Sequence, residues 1–374
     1  MRNFVLNYSL KQLSLLCLYP DIKNLQFQIV GILVCCFYAS AWIFNITGVI
    51  INFNGLDSIQ QAMVSLPSAH QLLFKTVFMF FTKSKLAKVV RKINYLQSLK
   101  LYTTSENLRR KIEEADEKFN FYFKIYKRII LITSYIFITK PLLSRTRHFP
   151  IGWYTPCDIN DNFCYATWYI WESVYVLFAQ YTLASVDSLF FAIIFTMYVE
   201  VEKLKDYFQN IYVKDKIIKR INYREFCKSI DHHNYILKVL EEINDVFQYQ
   251  LLNQFVTSIV TICFGIYYLN ASYPPHLELI PYLLVYHNQL FMYCFAGEMI
   301  QRQITSIGTA LYTSNWYCCK NKEFTACLKL IIQRSHRPIN VNIGHIWKLD
   351  TRTFIGVMRT SLSIHTFLQT INKQ

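Results

Sequence analysis

Apolar residues in this sequence gather into seven long stretches, at 27–52, 59–82, 125–144, 168–199, 246–271, 279–298 and 347–371, separated by polar segments. Three windows contain no Asp, Glu, Lys or Arg: 27–51 with 25 residues, 246–277 with 32 and 279–297 with 19. A bilayer-spanning helix needs about 20 apolar residues, so each stretch predicts one membrane span. The third and seventh are the most polar. Lys127, Arg128 and Lys140 sit near the ends of the third, where long side chains reach the headgroups, and Arg359 falls within the seventh. The segments between spans also carry helical periodicity. Glu106, Arg109, Arg110, Glu113, Glu114 and Glu117 recur at helical spacing, as do Ile236, Val239, Leu240, Ile243 and Phe247. The spans are therefore expected to continue as helices into a compact region on one side of the membrane.

Composition strengthens this picture. Of 374 residues 53% are apolar and only 17% charged, against about 25% charged in a typical soluble domain. The formal net charge of +15 comes from basic blocks lying between apolar runs, which is the pattern of cytoplasmic loops and not of a nucleic-acid surface. With the N-terminus inside, the inner segments hold 29 lysines and arginines and the outer ones 3. Basic loops stay inside, so the N-terminus is expected to be cytoplasmic and the C-terminus extracellular. With seven spans this is the reverse of a G-protein-coupled receptor.

Little in the sequence suggests turnover. No GxxxxGK[ST] or GxGxxG spacing is present, and the eleven cysteines form no CxxC pair, so no catalytic residue, metal site or cofactor is indicated. His232 and His233 follow Asp231 without a nearby nucleophile or third ligand, which points to packing. Residues 1–26 are polar and mixed, unlike a cleavable signal peptide. Without a linker or internal repeat, 1–374 reads as a single domain. On the outer side, Cys157 and Cys164 share a loop where a disulfide is permitted, Asn270-Ala271-Ser272 forms a glycosylation sequon, and Glu172 is placed to touch water.

From the sixth span onward the order of features becomes specific. Tyr293-Cys294-Phe295-Ala296-Gly297-Glu298 precedes Ala310-Leu311-Tyr312-Thr313-Ser314-Asn315-Trp316-Tyr317, then Arg337-Pro338, then Phe354-Ile355-Gly356-Val357-Met358-Arg359-Thr360-Ser361-Leu362-Ser363. This succession resembles the C-terminal part of insect odorant receptors. The outer loop with Pro150, Trp153, Tyr154 and Pro156, and the stretch from His232 to Phe255, are similar to the same family. Leu362, Ile364 and His365 stand where relatives often carry aromatic residues.

The resemblance implies an all-α membrane protein of seven transmembrane helices whose inner extensions form a cytoplasmic anchor. It implies a tuning subunit at the plasma membrane of a sensory neuron, assembled with an odorant coreceptor as a tetrameric, ligand-gated, non-selective cation channel for small volatile organic compounds. A gustatory-type channel shares this topology and is the nearest alternative. A secondary transporter would show two matching halves, which are not apparent.

Under that reading the last span, polar nearly all round, borders the ion pathway, because lipid cannot satisfy its hydroxyls. Ser361, Ile364 and Leu368, at i, i+3 and i+7, are the candidate pore positions. An odorant pocket is concave and mostly apolar. The outer halves of the spans offer His70 and Phe74, Tyr135 and Ile138, Phe178 and Tyr181, and Tyr282 and Tyr286. Trp316 and Tyr317 are candidate subunit anchors. Lys75 and Asp187 share a depth in the second and fourth spans, which permits an ion pair, and a charge swap between them is expected to restore assembly lost in either single variant.

Overall fold

The computed structural model describes residues 4–19, 24–51, 56–99, 105–144, 147–151, 153–156, 158–210, 223–271, 277, 279–314, 316–318, 322–337 and 339–372. Within these, the side chains of 4, 56–64, 210, 223–225, 270–271, 318, 368 and 371–372 lie outside the description. Among the described residues there are nine α-helices: α1 (Phe4–Leu15), α2 (Leu25–Ile51), α3 (Leu56–Ser98), α4 (Glu106–Leu143), α5 (Asn162–Asn210), α6 (Tyr223–Ala271), α7 (Leu279–Tyr312), α8 (Lys322–Ser335) and α9 (Thr351–Asn372). Each of the seven predicted spans falls largely within one of the long helices α2 to α7 and α9.

Helix length separates two regions. At 1.5 Å per residue, the 49 residues of α5 and of α6 each extend about 74 Å, more than twice the hydrocarbon thickness of about 30 Å. The surplus of α3 to α7 gathers at the basic end. There the five periodic residues of α6, Ile236, Val239, Leu240, Ile243 and Phe247, are all buried, and Phe226 of the same helix with Leu86 of α3, Phe208 of α5 and Phe324 of α8 add to the core. The opposite half is different. Large apolar side chains such as Leu33 and Ile43 on α2 or Leu131 and Ile132 on α4 are exposed, which suits a surface solvated by lipid tails. By length and composition alone, Leu25–Ile51, Asn162–Gln209 and Phe226–Leu269 qualify as membrane-crossing among the described residues.

Local chemistry sets the helix ends. Ser105 caps α4, its Oγ accepting the N–H of Leu108 at 3.1 Å, with Glu106 in the first turn beside the positive end of the helix dipole. The polar, mixed N-terminal segment forms α1, which lies on α5: Ser9 Oγ meets Ser188 Oγ at 2.7 Å, and Ser185 Oγ donates to Gln12 Oε1 at 3.0 Å. Lys127 does not reach for headgroups, because its ammonium lies 4.5 Å from the ring centre of Tyr8 on α1.

The seventh predicted stretch begins differently from expectation. Residues 347 and 348 form one strand of a two-stranded hairpin, pairing Ile343 with Trp347 and Asn342 with Lys348. Gly344 reverses the chain at φ +58° and donates its N–H to the carbonyl of Gln248 at 2.9 Å, while Asn342 N–H donates to Asn244 Oδ1 at 2.7 Å. The hairpin is thus pinned to α6. Asp350 then caps α9, accepting the Thr353 N–H at 2.8 Å.

Two predictions follow from this packing. A β-carbon at Gly297 on α7 would lie 2.8 Å from the side chain of Leu349 and overlap its carbonyl, whereas one at Gly356 meets nothing within 4 Å. Gly297→Ala is expected to cost about 1–3 kcal/mol and to lower surface delivery in a biotinylation assay, and Gly356→Ala to leave it unchanged. His232 and His233 are both buried in the basic half, with His232 Nε2 4.0 Å from Glu200 Oε2. Burial, then the charges of Lys203 and His233 for one ring and Arg334 for the other, push both imidazoles down to about 4. Because the fold needs them neutral, their contribution is complete above about pH 6.5. It is lost as pH falls toward 4, at about 1.4 kcal/mol per pH unit for each ring. Thermal unfolding of the purified protein should therefore shift down between about pH 7.5 and pH 5, and His233→Gln should flatten that dependence.

Candidate functional site

A charge in the middle of an apolar helix has to be satisfied from its neighbours. Asp187 lies inside the apolar run of α5 and is fully buried, as is Lys75 on α3. Asp187 Oδ1 accepts Lys75 Nζ at 2.6 Å and the hydroxyl of Tyr293 at 2.7 Å. Its Oδ2 accepts the hydroxyl of Tyr126 at 2.8 Å and the amide of Gln289. One carboxylate thus gathers donors from α3, α4 and α7. A second layer extends the network to α6: Gln289 Oε1 accepts Gln254 Nε2 at 2.9 Å and Gln71 Nε2 at 3.4 Å. Helical spacing makes this possible, because Gln71 and Lys75 on α3, and Gln289 and Tyr293 on α7, are each four residues apart and share a face.

Beside this network opens a cavity of about 410 Å³. Tyr126 and Gln289, which bond Asp187, form part of its lining. Its walls are aromatic, from Phe137, Tyr175, Tyr282 and Tyr286, and aliphatic, from Leu72, Ile130, Val176 and Leu183. Along α4 the lining runs from Tyr126 to Lys140, about 21 Å at 1.5 Å per residue. The connection between α4 and α5 closes it with His148, Phe149, Pro150 and Ile151. Its volume and mostly apolar wall suit a small organic molecule.

Glu172 holds that connection in place. The expectation that it touches water is corrected by its complete burial: its carboxylate accepts the N–H of Ile151 at 2.8 Å and of Trp153 at 3.3 Å. A loop folded back over α5 has backbone donors that need an acceptor, and Glu172 supplies it. Trp153 then packs edge-on against Tyr175, with ring centres 4.6 Å apart. Cys164, at the start of α5, is in a disulfide; Cys157 and Ser272 of the sequon lie outside the described residues.

Of the eight residues anticipated for a pocket, Tyr282 and Tyr286 line the cavity and the other six do not. His70 Nε2 is 3.2 Å from Asn253 Oδ1, and Phe74 stacks on Phe78. Tyr135 is 70% exposed and Phe178 48%. Ile138 and Tyr181 pack against the apolar cores. The difference is one of helical phase. On α3 the cavity takes Ser68 and Leu72, and on α4 Ile130, Thr133 and Phe137, so His70, Phe74 and Tyr135 stand about 200° around the helix from it. In a membrane the outward face is as apolar as the inward one, so hydrophobicity does not mark the phase. Tyr126, Gln289, Gln254 and Gln71 were missed as a set. Polar side chains four residues apart within apolar spans were the available signal.

On α9 the buried stripe is Val357, Ser361 and His365, packed toward α6, with Tyr267 and His365 ring centres 6.3 Å apart. Ile355, Leu362, Ile364 and Phe367 form the exposed side. Ser361 therefore faces its own bundle, Ile364 faces outward, and the side chain of Leu368 lies outside the described residues. Trp316 packs against the core, its Nε1–H 3.2 Å from the Tyr312 carbonyl, whereas Tyr317 is exposed.

Comparison with known proteins agrees with this architecture. A sequence profile described as 7tm Odorant receptor matches residues 57–362. Odorant receptor 82a of Drosophila melanogaster is 27% identical over 145 residues, which is 38% of this chain and 37% of that protein. Odorant receptor 67c of the same species is 28% identical over 145 residues, 38% of this chain and 35% of that protein. These matches thus span little more than a third of either relative. The structure of the insect olfactory receptor OR5 from Machilis hrabei in complex with eugenol superposes with a TM-score of 0.82 at 15% identity, covering 99% of this chain and 100% of that one. The fold is shared over essentially the full length.

The geometry around Asp187 changes what a charge swap should do. Asp187→Asn leaves the Lys75 ammonium buried without its counter-ion and is expected to cost about 3–5 kcal/mol. A Lys at position 187 has no lone pair to accept from Tyr126, Tyr293 and Gln289, so the double swap should not restore surface expression. Lys75→Met, which leaves three neutral donors on Asp187, should be milder than Asp187→Asn when surface-labelled protein is quantified by fluorescence.

Proposed function

The chain belongs to the 7tm odorant receptor family, and on that premise we propose that it is an odorant-specific tuning subunit of a ligand-gated, non-selective cation channel. The observation that carries the reading is the 410 Å³ cavity, walled by aromatic and aliphatic side chains and closed by a tethered loop. Burying a small volatile compound there gains about 25 cal/mol for each Å² of apolar surface, so shape complementarity supplies most of the affinity. Tyr282 and Tyr286 touch the ligand through their rings and orient it through their hydroxyls.

The partner in this reading is an odorant coreceptor, with which the chain forms a tetramer in the plasma membrane of a sensory neuron. Residues 1–374 act as one seven-helix unit with the N-terminus in the cytoplasm and the C-terminus outside, a direction supported by the excess of basic residues at the α1, α3–α4, α5–α6 and α7–α8 end. The exposed side of α9, with Ile355, Leu362, Ile364 and Phe367, faces neighbouring subunits and the ion pathway. Tyr317 is available to a neighbour at the anchor.

Gating follows from shared residues. Tyr126 and Gln289 belong both to the cavity lining and to the Asp187 network, so a bound ligand bears on the helices that meet there. Because α9 packs on α6 and α7, a small rearrangement of those helices reaches it. A ligand that fits one arrangement better shifts the population toward it.

Cells expressing this chain with an odorant coreceptor are expected to pass an inward cation current when exposed to members of a broad volatile panel, and cells with the coreceptor alone are not. Tyr286→Ala should raise the half-maximal concentration of an active compound by about tenfold. A C-terminal epitope reachable only after permeabilisation, or surface-delivered complexes silent to the whole panel, would overturn the reading.

A further inference from the structure

The cavity contains one polar atom that no group among the described residues satisfies. His148 lines it, and its Nε2 is buried without a hydrogen-bond partner. Buried polar atoms in folded proteins nearly always have partners, so an orphan in a ligand-sized cavity calls for a physical reason. Among the residues lining this cavity, His148 alone carries such an orphan atom.

The backbone that carries this imidazole is also tethered. Its own carbonyl accepts the hydroxyl of Tyr165 at 3.3 Å. On one side Arg147 donates to the carbonyl of Asn160 at 3.0 Å and to Asn162 Oδ1 at 2.7 Å. On the other, Glu172 accepts the Ile151 N–H at 2.8 Å. These bonds tie the chain on both flanks of His148 to α5 and the turn before it, so the segment that carries the ring is held over the cavity. Preorganised groups of this kind give the largest discrimination between ligands that do and do not satisfy them.

The remaining lining fixes the sign of the preferred ligand. Among the described residues no Asp or Glu lines the cavity, and the one lysine that does is Lys140. An ammonium ligand would meet a cation and an imidazole with no carboxylate to pair it. An alkane would leave Nε2 bare. With the ring proton on Nε2, an oxygen acceptor on the ligand would complete it.

From these contacts we infer that His148 is the specificity-determining residue of the cavity, donating Nε2–H to a carbonyl oxygen of the ligand, and that the receptor is tuned to small aldehydes, ketones or esters in preference to amines and hydrocarbons. The inference rests on the cavity being the ligand site, and it adds the chemical class that the site takes.

The test uses the full chain co-expressed with an odorant coreceptor and three matched series: straight-chain aldehydes, primary amines and alkanes of equal carbon number. Wild type should respond to aldehydes at concentrations at least tenfold below those needed for amines or alkanes. His148→Phe, which keeps the ring volume and removes the nitrogen, should raise the half-maximal aldehyde concentration about tenfold and leave the alkane response unchanged, while His148→Gln, which keeps a donor, should recover part of the loss. Surface labelling identifies which variants reach the membrane, and if the Phe variant does not, Gln against wild type carries the comparison through the same aldehyde-to-alkane ratio. Equal sensitivity of wild type to all three series, or an equal shift of all three in the variants, overturns the assignment to His148. Silence of wild type toward every compound in a broader volatile panel instead overturns the receptor reading itself.

Discussion

A carboxylate at the centre of a helical bundle cannot be left alone, and the arrangement of α3, α4, α5 and α7 is the answer to that constraint. Each oxygen of Asp187 takes two donors. Breaking such a set strands polar groups in a medium that offers no water to replace them. Van der Waals contact between apolar helices is tolerant of sliding, whereas four directed bonds to one group define both the depth and the rotation of each helix. The polar cluster therefore contributes register as much as energy, and the glutamine layer through Gln254 carries the same definition to α6.

The two halves of the molecule meet different physical demands. In the anchor end, ordinary burial holds: Phe208, Phe226 and Phe324 come from segments far apart in sequence and leave no exposed surface. Phe226 and Phe324 ring centres are 4.6 Å apart. Toward the other end the helices separate enough to leave a chamber, and Tyr175 in its wall is backed by the rings of Tyr38 and Trp153. A filled base and a chambered top divide the molecule between packing and cavity.

How much of this was legible in the sequence depends on which physical signal each feature leaves. Seven apolar stretches, three of them with uncharged windows of 19 to 32 residues, declare the long helices, and the segregation of lysine and arginine gives a direction. The periodic stripe from Ile236 to Phe247 read correctly because water lies opposite a core there, and contrast creates period. Inside the bilayer that contrast disappears, which is why residue type selected His70 and Tyr135 where the cavity uses Leu72 and Thr133. The matched depth of Lys75 and Asp187 was readable from counting residues, but the donors around them were not, since Tyr126 lies 61 positions from Asp187 and Tyr293 lies 106. Glu172 looked solvent-facing because the loop that covers it is visible only in three dimensions. The hairpin before α9 left a single trace, Gly344, whose left-handed backbone allows the reversal.

The seat of α1 sets a schedule for biogenesis. This helix is made before α5, yet Ser9 and Gln12 bond to Ser188 and Ser185, which are synthesised more than 170 residues later. Until α5 has been made, neither of these bonds can form. The seat of α1 is therefore completed only after α2, α3, α4 and α5 have followed it in synthesis.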